Sequence, residues 1–97
     1  MEQKLLIHVT YQAKHGRGRA FVDAIVKQGL RDKILAEDGC LRYDYYISCE
    51  NEDVVLLVEC WNSAAQQLTH MSQPHMKNLA DLKARETLST QVEKFLI

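Results

Sequence analysis

The strongest structural signal in the sequence is the run VVLLVECW at residues 54–61. An apolar run of this length, with a single charged side chain, is typical of a strand that is covered on both faces in the middle of a sheet. Alternate side chains of a strand point to the same face, so Leu57, Glu59 and Trp61 are expected to lie together. An Asn-Ser pair follows and can cap a helix. The sequence therefore predicts a central strand that leads directly into a helix.

Three other segments have strand character, and two regions have helical character. The strands are rich in β-branched and aromatic residues, whereas the helical regions repeat apolar residues at near-helical spacing. A glycine at position 29 interrupts the first helical region, and a Ser-Gln-Pro sequence restarts the second. The predicted strands are residues 4–12, 40–49, 54–61 and 86–97, and the predicted helices are residues 19–37 and the segment after residue 63, which restarts over residues 75–84.

The resulting order, β-α-β-β-α-β, is the ferredoxin-like pattern of the α+β class, in which an antiparallel sheet carries both helices on one face. The whole chain, residues 1–97, is expected to form a single domain. Every predicted strand also has apolar side chains on the face that the helices would leave open. A two-fold homodimer that packs two such sheets together would bury that face. We therefore expect a homodimer with a barrel-like interface between its sheets.

Composition and charge exclude several classes of function. Twelve Lys and Arg against thirteen Asp and Glu leave a formal net charge of −1, which does not suit a nucleic-acid partner, and no RNA-binding motif occurs. No apolar run approaches the roughly 18 residues of a membrane span, so no membrane partner is expected. The three cysteines have no paired spacing and are expected to be reduced, in the cytoplasm.

The region around Trp61 holds the residues best suited to chemistry on a planar organic molecule. Glu59 shares a strand face with Trp61, and a carboxylate there would be costly to bury without a hydrogen-bond donor. His70, in the following helical segment, could be that donor, and a Glu-His pair can act as a general acid or base. Trp61 would offer a flat apolar wall to an aromatic ligand. Each residue also has a purely structural alternative: Trp61 as core, His70 as a helix cap, and Glu59 as a partner of Arg42.

A metal site in this region would need His70 and His75, with Glu59 as a third ligand. The five-residue spacing of the histidines differs from the i, i+4 pair of a helical zinc site, and Pro74 lies between them. The sequence also lacks the glycine-flanked serine of a nucleophile elbow and the glycine fingerprint of a dinucleotide site. We therefore expect neither a metal nor an organic cofactor.

A set of short motifs runs through nearly the whole chain in a fixed order: Asp38-Gly39-Cys40-Leu41-x-Tyr43, then Glu59-x-Trp61, then His70, then Pro74-His75-Met76-Lys77. In this combination the sequence resembles the antibiotic biosynthesis monooxygenase (ABM) domain family, and its quinol monooxygenase type most of all. The resemblance implies a dimeric α+β barrel. It also implies a monooxygenase that uses neither metal nor flavin, with a small aromatic substrate and O₂ as its partners.

The same resemblance implies roles for individual residues. His70, together with Glu59, would be catalytic and would deprotonate a phenol. Trp61 would form a wall of the substrate pocket. The other substrate-binding residues that the resemblance implies are His75, Tyr43, Leu57 and Met76.

Two positions depart from the members of the family that oxidise polyketides. Those members carry an asparagine where this chain has Leu57 and a tyrosine where it has Gln67, which argues against a polyketide substrate. The expected substrate is therefore a quinol or another polyphenolic small molecule. The alternatives are an isomerase or other acid/base enzyme with the same pocket, and a small-molecule-binding dimer without catalysis.

Overall fold

The computed structural model describes residues 3–97, which form four strands and four helices around one antiparallel sheet. The α+β, ferredoxin-like class predicted from the sequence is confirmed. Each predicted helical region is divided into two helices. The elements in chain order are β1 (Leu5–Ala13), α1 (Gly18–Lys27), α2 (Leu30–Leu35), β2 (Cys40–Ile47), β3 (Val54–Trp61), α3 (Ala64–Met71), α4 (His75–Glu86) and β4 (Thr87–Leu96).

The strand predicted to be central lies inside the sheet. The strand order is β2-β3-β1-β4, so β3 pairs with β2 on one side and with β1 on the other, both antiparallel. In this register Glu59 lies between Ile7 of β1 and Tyr43 of β2. The middle of the inner sheet face therefore carries a carboxylate between an aliphatic side chain and a phenol.

The main core lies between the inner sheet face and the helices. Leu57 and Trp61 are buried on that face, as the predicted alternation along β3 requires. Phe21 and Ile25 of α1 pack against the same core. The outer face of the sheet has no helix over it, and aromatic side chains such as Tyr46 and Phe95 are exposed.

The predicted helical region over residues 19–37 is interrupted at Gly29, as the sequence indicated, but its predicted end at residue 37 is wrong. Gly29 adopts a φ of 72°, in the left-handed region that side chains disfavour, and it divides the helix into α1 and α2. The second helix ends at Leu35, so Glu37 lies in the turn that leads into β2. This placement frees the Glu37 side chain to reach other elements. Among residues 3–97, no helix is long and apolar enough to cross a membrane.

Candidate active site

A cavity of about 160 Å³ lies between the inner sheet face and the pair α3 and α4. Its floor is built from aliphatic residues of β1, and Thr90, Val92 and Lys94 of the edge strand β4 form one side. Polar groups enter this largely apolar space from several elements. They include Tyr43, Glu59, Gln67, His70 and Lys83. A mostly apolar concavity with a few converging polar groups is the usual form of a small-molecule site.

Glu59 is held in the cavity wall by its neighbour on the same strand face. The Trp61 indole Nε1 donates a hydrogen bond of 3.0 Å to Glu59 Oε1. Sequence analysis proposed His70 or Arg42 as the partner of this carboxylate. Both proposals are wrong: the observed donor is the indole, His70 Nδ1 pairs with Glu37 instead, and Arg42 pairs with Asp44 on the outer face.

The Glu59 carboxyl is only 7% exposed, and this burial raises its pKa above the ordinary value of 4.5. The hydrogen bond from Trp61 and the nearby basic groups of His70, Lys94 and Lys83 oppose that rise. Burial also raises the pKa of the Tyr43 phenol well above its ordinary value, so Tyr43 stays protonated.

His70 is wedged between the sheet and the turn that precedes β2. Its side chain is 1% exposed, and its ring lies 4.5 Å from the Trp61 indole at a tilt of 33°. The centroid of the same ring lies 6.0 Å from the centroid of the Tyr43 ring, in an edge-on arrangement. Its Nδ1 lies 2.8 Å from Glu37 Oε2. The second ring nitrogen, Nε2, has no hydrogen-bond partner among residues 3–97, and His70 lines the cavity.

Glu37 also binds the second histidine of the segment. His75 Nε2 lies 2.8 Å from the same oxygen, Glu37 Oε2, that accepts from His70. A carboxylate oxygen can only accept, so each ring donates an N–H to it. In the neutral ring, the proton on Nδ1 leaves Nε2 with a free lone pair, the form that a general base requires.

Local structure explains why these three side chains meet. Cys40 N donates to Glu37 O at 3.2 Å, and Asn62 N donates to Gly39 O at 2.8 Å, so the turn is tied to the end of β3. Gly39 has a φ of 84° and lies against the Gln66 side chain, where a Cβ would clash. The Ser63 hydroxyl accepts from Gln66 N and begins α3 at the same end of the sheet.

The structure separates the other sequence-predicted residues into two groups. Tyr43 and Met76 line the cavity, as Glu59 and His70 do. Trp61 and Leu57 do not line it: both are buried in the core, with Trp61 behind His70 and Glu59. His75 contacts the same Glu37 oxygen as His70 but is not part of the lining. The expectation that Trp61 forms the pocket wall is therefore wrong, because the imidazole of His70 covers the indole.

Glu37 and Lys83 are functional candidates that sequence analysis missed. Glu37 is 33 positions from His70 and 38 from His75, so no local spacing connects them. Lys83 lines the cavity, with its Nζ 5.5 Å from the Tyr11 ring centroid. The sequence held one indication of the position of Glu37. It directly precedes Asp38-Gly39, and a turn of this kind places its neighbours close to the end of a strand.

Glu59→Gln tests the buried carboxyl through stability. A raised folded-state pKa contributes stability that is complete below the unfolded value of 4.5 and is lost as the pH rises through the folded pKa. Glutamine keeps the shape and can accept the Trp61 N–H. We therefore expect the variant to be more stable than the wild type at neutral pH, with a flatter pH profile above 4.5. Urea unfolding at a series of pH values measures this.

Glu52→Gln, at an exposed position of the turn between β2 and β3, is the matched control and should follow the wild-type profile. An unchanged pH profile in Glu59→Gln would show that burial does not perturb this carboxyl.

Comparison with known proteins agrees with the geometry. The sequence model of the antibiotic biosynthesis monooxygenase family matches residues 5–82, most of the chain. The chain belongs to this family, and the resemblance noted from its motifs is confirmed. No curated protein sequence matches the chain.

Solved structures share the fold at low sequence identity. A conserved protein of unknown function from Bacteroides thetaiotaomicron, described as a possible oxidoreductase, has a TM-score of 0.87 and 21% identity, with all of both chains covered. A protein from Shewanella oneidensis has a TM-score of 0.84 and 19% identity, covering 100% of this chain and 93% of its own. A conserved protein from Methanosarcina mazei has a TM-score of 0.84 and 20% identity, covering 96% and 91%. These likenesses establish the fold.

Proposed function

We propose that the protein is a cofactor-independent monooxygenase that oxidises a quinol or a related polyphenol. The observation that carries the proposal is the hydrogen bond from His70 Nδ1 to Glu37, which leaves Nε2 as an acceptor on a buried ring that lines the cavity. Membership of the monooxygenase family supports the reaction type. The buried imidazole would take a phenolic proton and leave an electron-rich anion in the cavity.

The surroundings of the cavity suit such an anion. Lys83 and Lys94 both line it, and cationic groups near a dry site stabilise a phenolate more strongly than water-exposed ones would. Tyr43, which burial keeps protonated, is placed to donate to an oxygen of the substrate. Met76 and Leu79 supply apolar contacts to the ring. The chain thus provides a base, a positive field and an apolar wall.

The reaction balances with O₂ as the only oxidant. A hydroquinone loses one proton to His70 and passes electrons from its ring to O₂. One oxygen atom forms a bond to a ring carbon, the other leaves as water, and the product is a hydroxyquinone. The substrate supplies all four electrons that reduce O₂, so no added electron donor is required.

Cavity size favours a small substrate. A cavity of about 150 Å³ accommodates one benzene ring in a protein core, and the cavity here measures about 160 Å³. A single-ring hydroquinone therefore fits better than a fused polyketide. The presence of Leu57 and Gln67 in place of the polar pair of polyketide-oxidising members points the same way.

Oxygen consumption tests this function directly. Purified protein, treated with a chelator, is given single-ring, two-ring and three-ring hydroquinones in an oxygen electrode. We expect uptake above the uncatalysed rate, strongest for the single-ring compounds, and one ¹⁸O atom from ¹⁸O₂ in the product. No uptake above background across the panel would overturn the proposal.

A second candidate, an acid/base enzyme such as an isomerase, is favoured by the same His70–Glu37 pair, which needs no O₂ to move a proton. The two functions differ under anaerobic conditions. Incorporation of deuterium from solvent into a carbonyl substrate in the absence of O₂ would identify the isomerase. An oxygenase would give no product in that assay.

We also propose that the protein is a homodimer formed through the outer sheet face. Phe95 and Tyr46 are exposed there at 42% and 45%, and the Phe95 ring meets His8 at 5.5 Å. Burying such side chains against a second copy would remove apolar surface from water. We expect sedimentation at micromolar concentration to give twice the chain mass of 11.2 kDa.

Phe95→Glu should shift the protein toward the monomer, because a charge would be buried in the interface. Val26→Glu, at a 54% exposed position on α1, is the matched control and should remain dimeric. A folded wild-type monomer at micromolar concentration would contradict the dimer.

A further inference from the structure

The three side chains around Glu37 form a cluster with the composition of a metal site. One ligand atom from each of Glu37, His70 and His75 lies within 4.8 Å of the others. The side chains are 11%, 1% and 14% exposed, so the cluster lies at the boundary between core and solvent. Two imidazoles and one carboxylate are also the protein ligands of many open Zn²⁺ sites, which keep a fourth position for water.

We propose that Glu37, His70 and His75 form a three-ligand Zn²⁺ site that inhibits the enzyme when it is occupied. Both histidine nitrogens lie 2.8 Å from Glu37 Oε2. In a tetrahedral site with bonds of about 2.0–2.1 Å, neighbouring ligand atoms lie about 3.3 Å apart. The two nitrogens lie within 4.8 Å of each other. Shifts of less than about 1 Å in the three side chains would therefore bring all three atoms to bonding distance from one ion.

The structure also provides an entry route for the ion. A surface depression of about 200 Å³ opens beside Glu37 and is lined by Asp38, Gln66, Thr69 and Gln73. Glu37 lines this depression, whereas the substrate cavity is lined by His70 and not by Glu37. An ion could thus enter through the depression and keep a water ligand there without passing through the substrate cavity.

Nitrogen ligands make the site selective by chemistry. Mg²⁺ and Ca²⁺ prefer oxygen ligands, whereas imidazole suits Zn²⁺. The one carboxylate, which belongs to a residue that lines the depression, offers part of the charge that a divalent ion needs. The occupant is therefore Zn²⁺ rather than an alkaline-earth ion.

Inhibition would result from a change in which His70 nitrogen carries the proton. This part of the inference rests on the proposed function. With Nδ1 bonded to the metal, the proton of the neutral ring must lie on Nε2. The nitrogen that remains for the substrate cavity then changes from an acceptor to a donor. The base would be lost without any movement of the substrate-lining residues.

Isothermal calorimetry of the full chain with Zn²⁺ tests the site independently of turnover. We expect one ion per chain, and a visible spectrum of tetrahedral Co²⁺ when Co²⁺ replaces it. Loss of outer-shell partners typically weakens metal binding about 10–100-fold. Removing a ligand should cost at least the upper end of that range, so Glu37→Gln and His75→Gln should each bind about a hundredfold more weakly.

Matched controls separate this site from other soft ligands. His15→Gln, in the exposed turn before α1, and Cys60→Ser should bind Zn²⁺ as the wild type does. Thermal unfolding checks that each variant folds, and Zn²⁺ should raise the Tm of the wild type but not that of His75→Gln. Unweakened binding in both ligand variants, or no binding at micromolar Zn²⁺, would overturn the site.

The inhibitory role has its own measurement. Zn²⁺ should lower oxygen uptake in the wild type, and it should lower the residual rate of His75→Gln much less at the same concentration. Full activity of the Zn²⁺-saturated wild type would overturn inhibition while leaving the binding site intact. If the protein has no oxygenase activity, calorimetry still decides whether the metal binds.

Discussion

Replacing His70 with glutamine is expected to lower kcat for hydroquinone oxygenation roughly 10²-fold or more, because removal of a general base costs that much. Glutamine has an amide N–H that can donate to Glu37 in place of the imidazole N–H. It has no basic nitrogen to take the phenolic proton. The measurement is initial oxygen uptake at saturating substrate, corrected for the uncatalysed rate.

His15→Gln is the control for this experiment, because it makes the same chemical change at an exposed turn position away from the cavity. It should retain wild-type turnover. Circular dichroism and the Tm of both variants exclude unfolding as the cause of a lost rate. A His70→Gln enzyme with unchanged kcat would remove His70 as the base and leave the deprotonation step without an assigned residue.

Replacing Trp61 with alanine is expected to lower the free energy of unfolding by about 3–5 kcal/mol, the usual cost of removing a large aromatic side chain from a core. The indole is fully buried, donates to Glu59 and packs against the His70 ring. The variant therefore creates a cavity and leaves a buried carboxyl without its donor. Urea unfolding at neutral pH measures the loss.

Trp61→Phe keeps most of the ring volume and removes the N–H donor. It should cost about 1–3 kcal/mol, the range for a buried polar group that loses its partner. It also gives a result if the alanine variant does not fold. Val26→Ala, at an exposed position, should stay within about 0.5 kcal/mol of the wild type. A Trp61→Ala loss no larger than that of Val26→Ala would show that the indole does not support the core.

Local patterns predicted the sheet well because successive side chains of a strand face opposite sides of the sheet, so the order of apolar and polar residues indicates which side is buried. The apolar run of β3 indicated an interior strand, and it lies between β1 and β2. The alternation along it correctly placed Glu59 and Trp61 on one face, which their hydrogen bond requires. Element ends were less accurate. The long first helix divides at Gly29, where a positive φ is available at no steric cost.

The site was predicted only in part. His70, Glu59, Tyr43 and Met76 do meet at one cavity, but the partner of His70 is Glu37 and not Glu59. The assignment failed because the residue that pairs with His70 Nδ1 comes from the α2–β2 turn, 33 positions away, while Glu59 accepts from the indole two positions along its own strand. The same packing moved Trp61 from the pocket wall into the core.

The sequence by itself determined the order of the elements, the interior position of β3, and which of its side chains face the helices. Those properties follow from local periodicity and from the cost of exposing apolar surface. Only the tertiary structure decided that Glu37 joins His70 and His75, since 33 and 38 residues of chain separate them. Such contacts depend on how a turn, a strand end and two helices pack together. Local periodicity in the sequence does not indicate that packing.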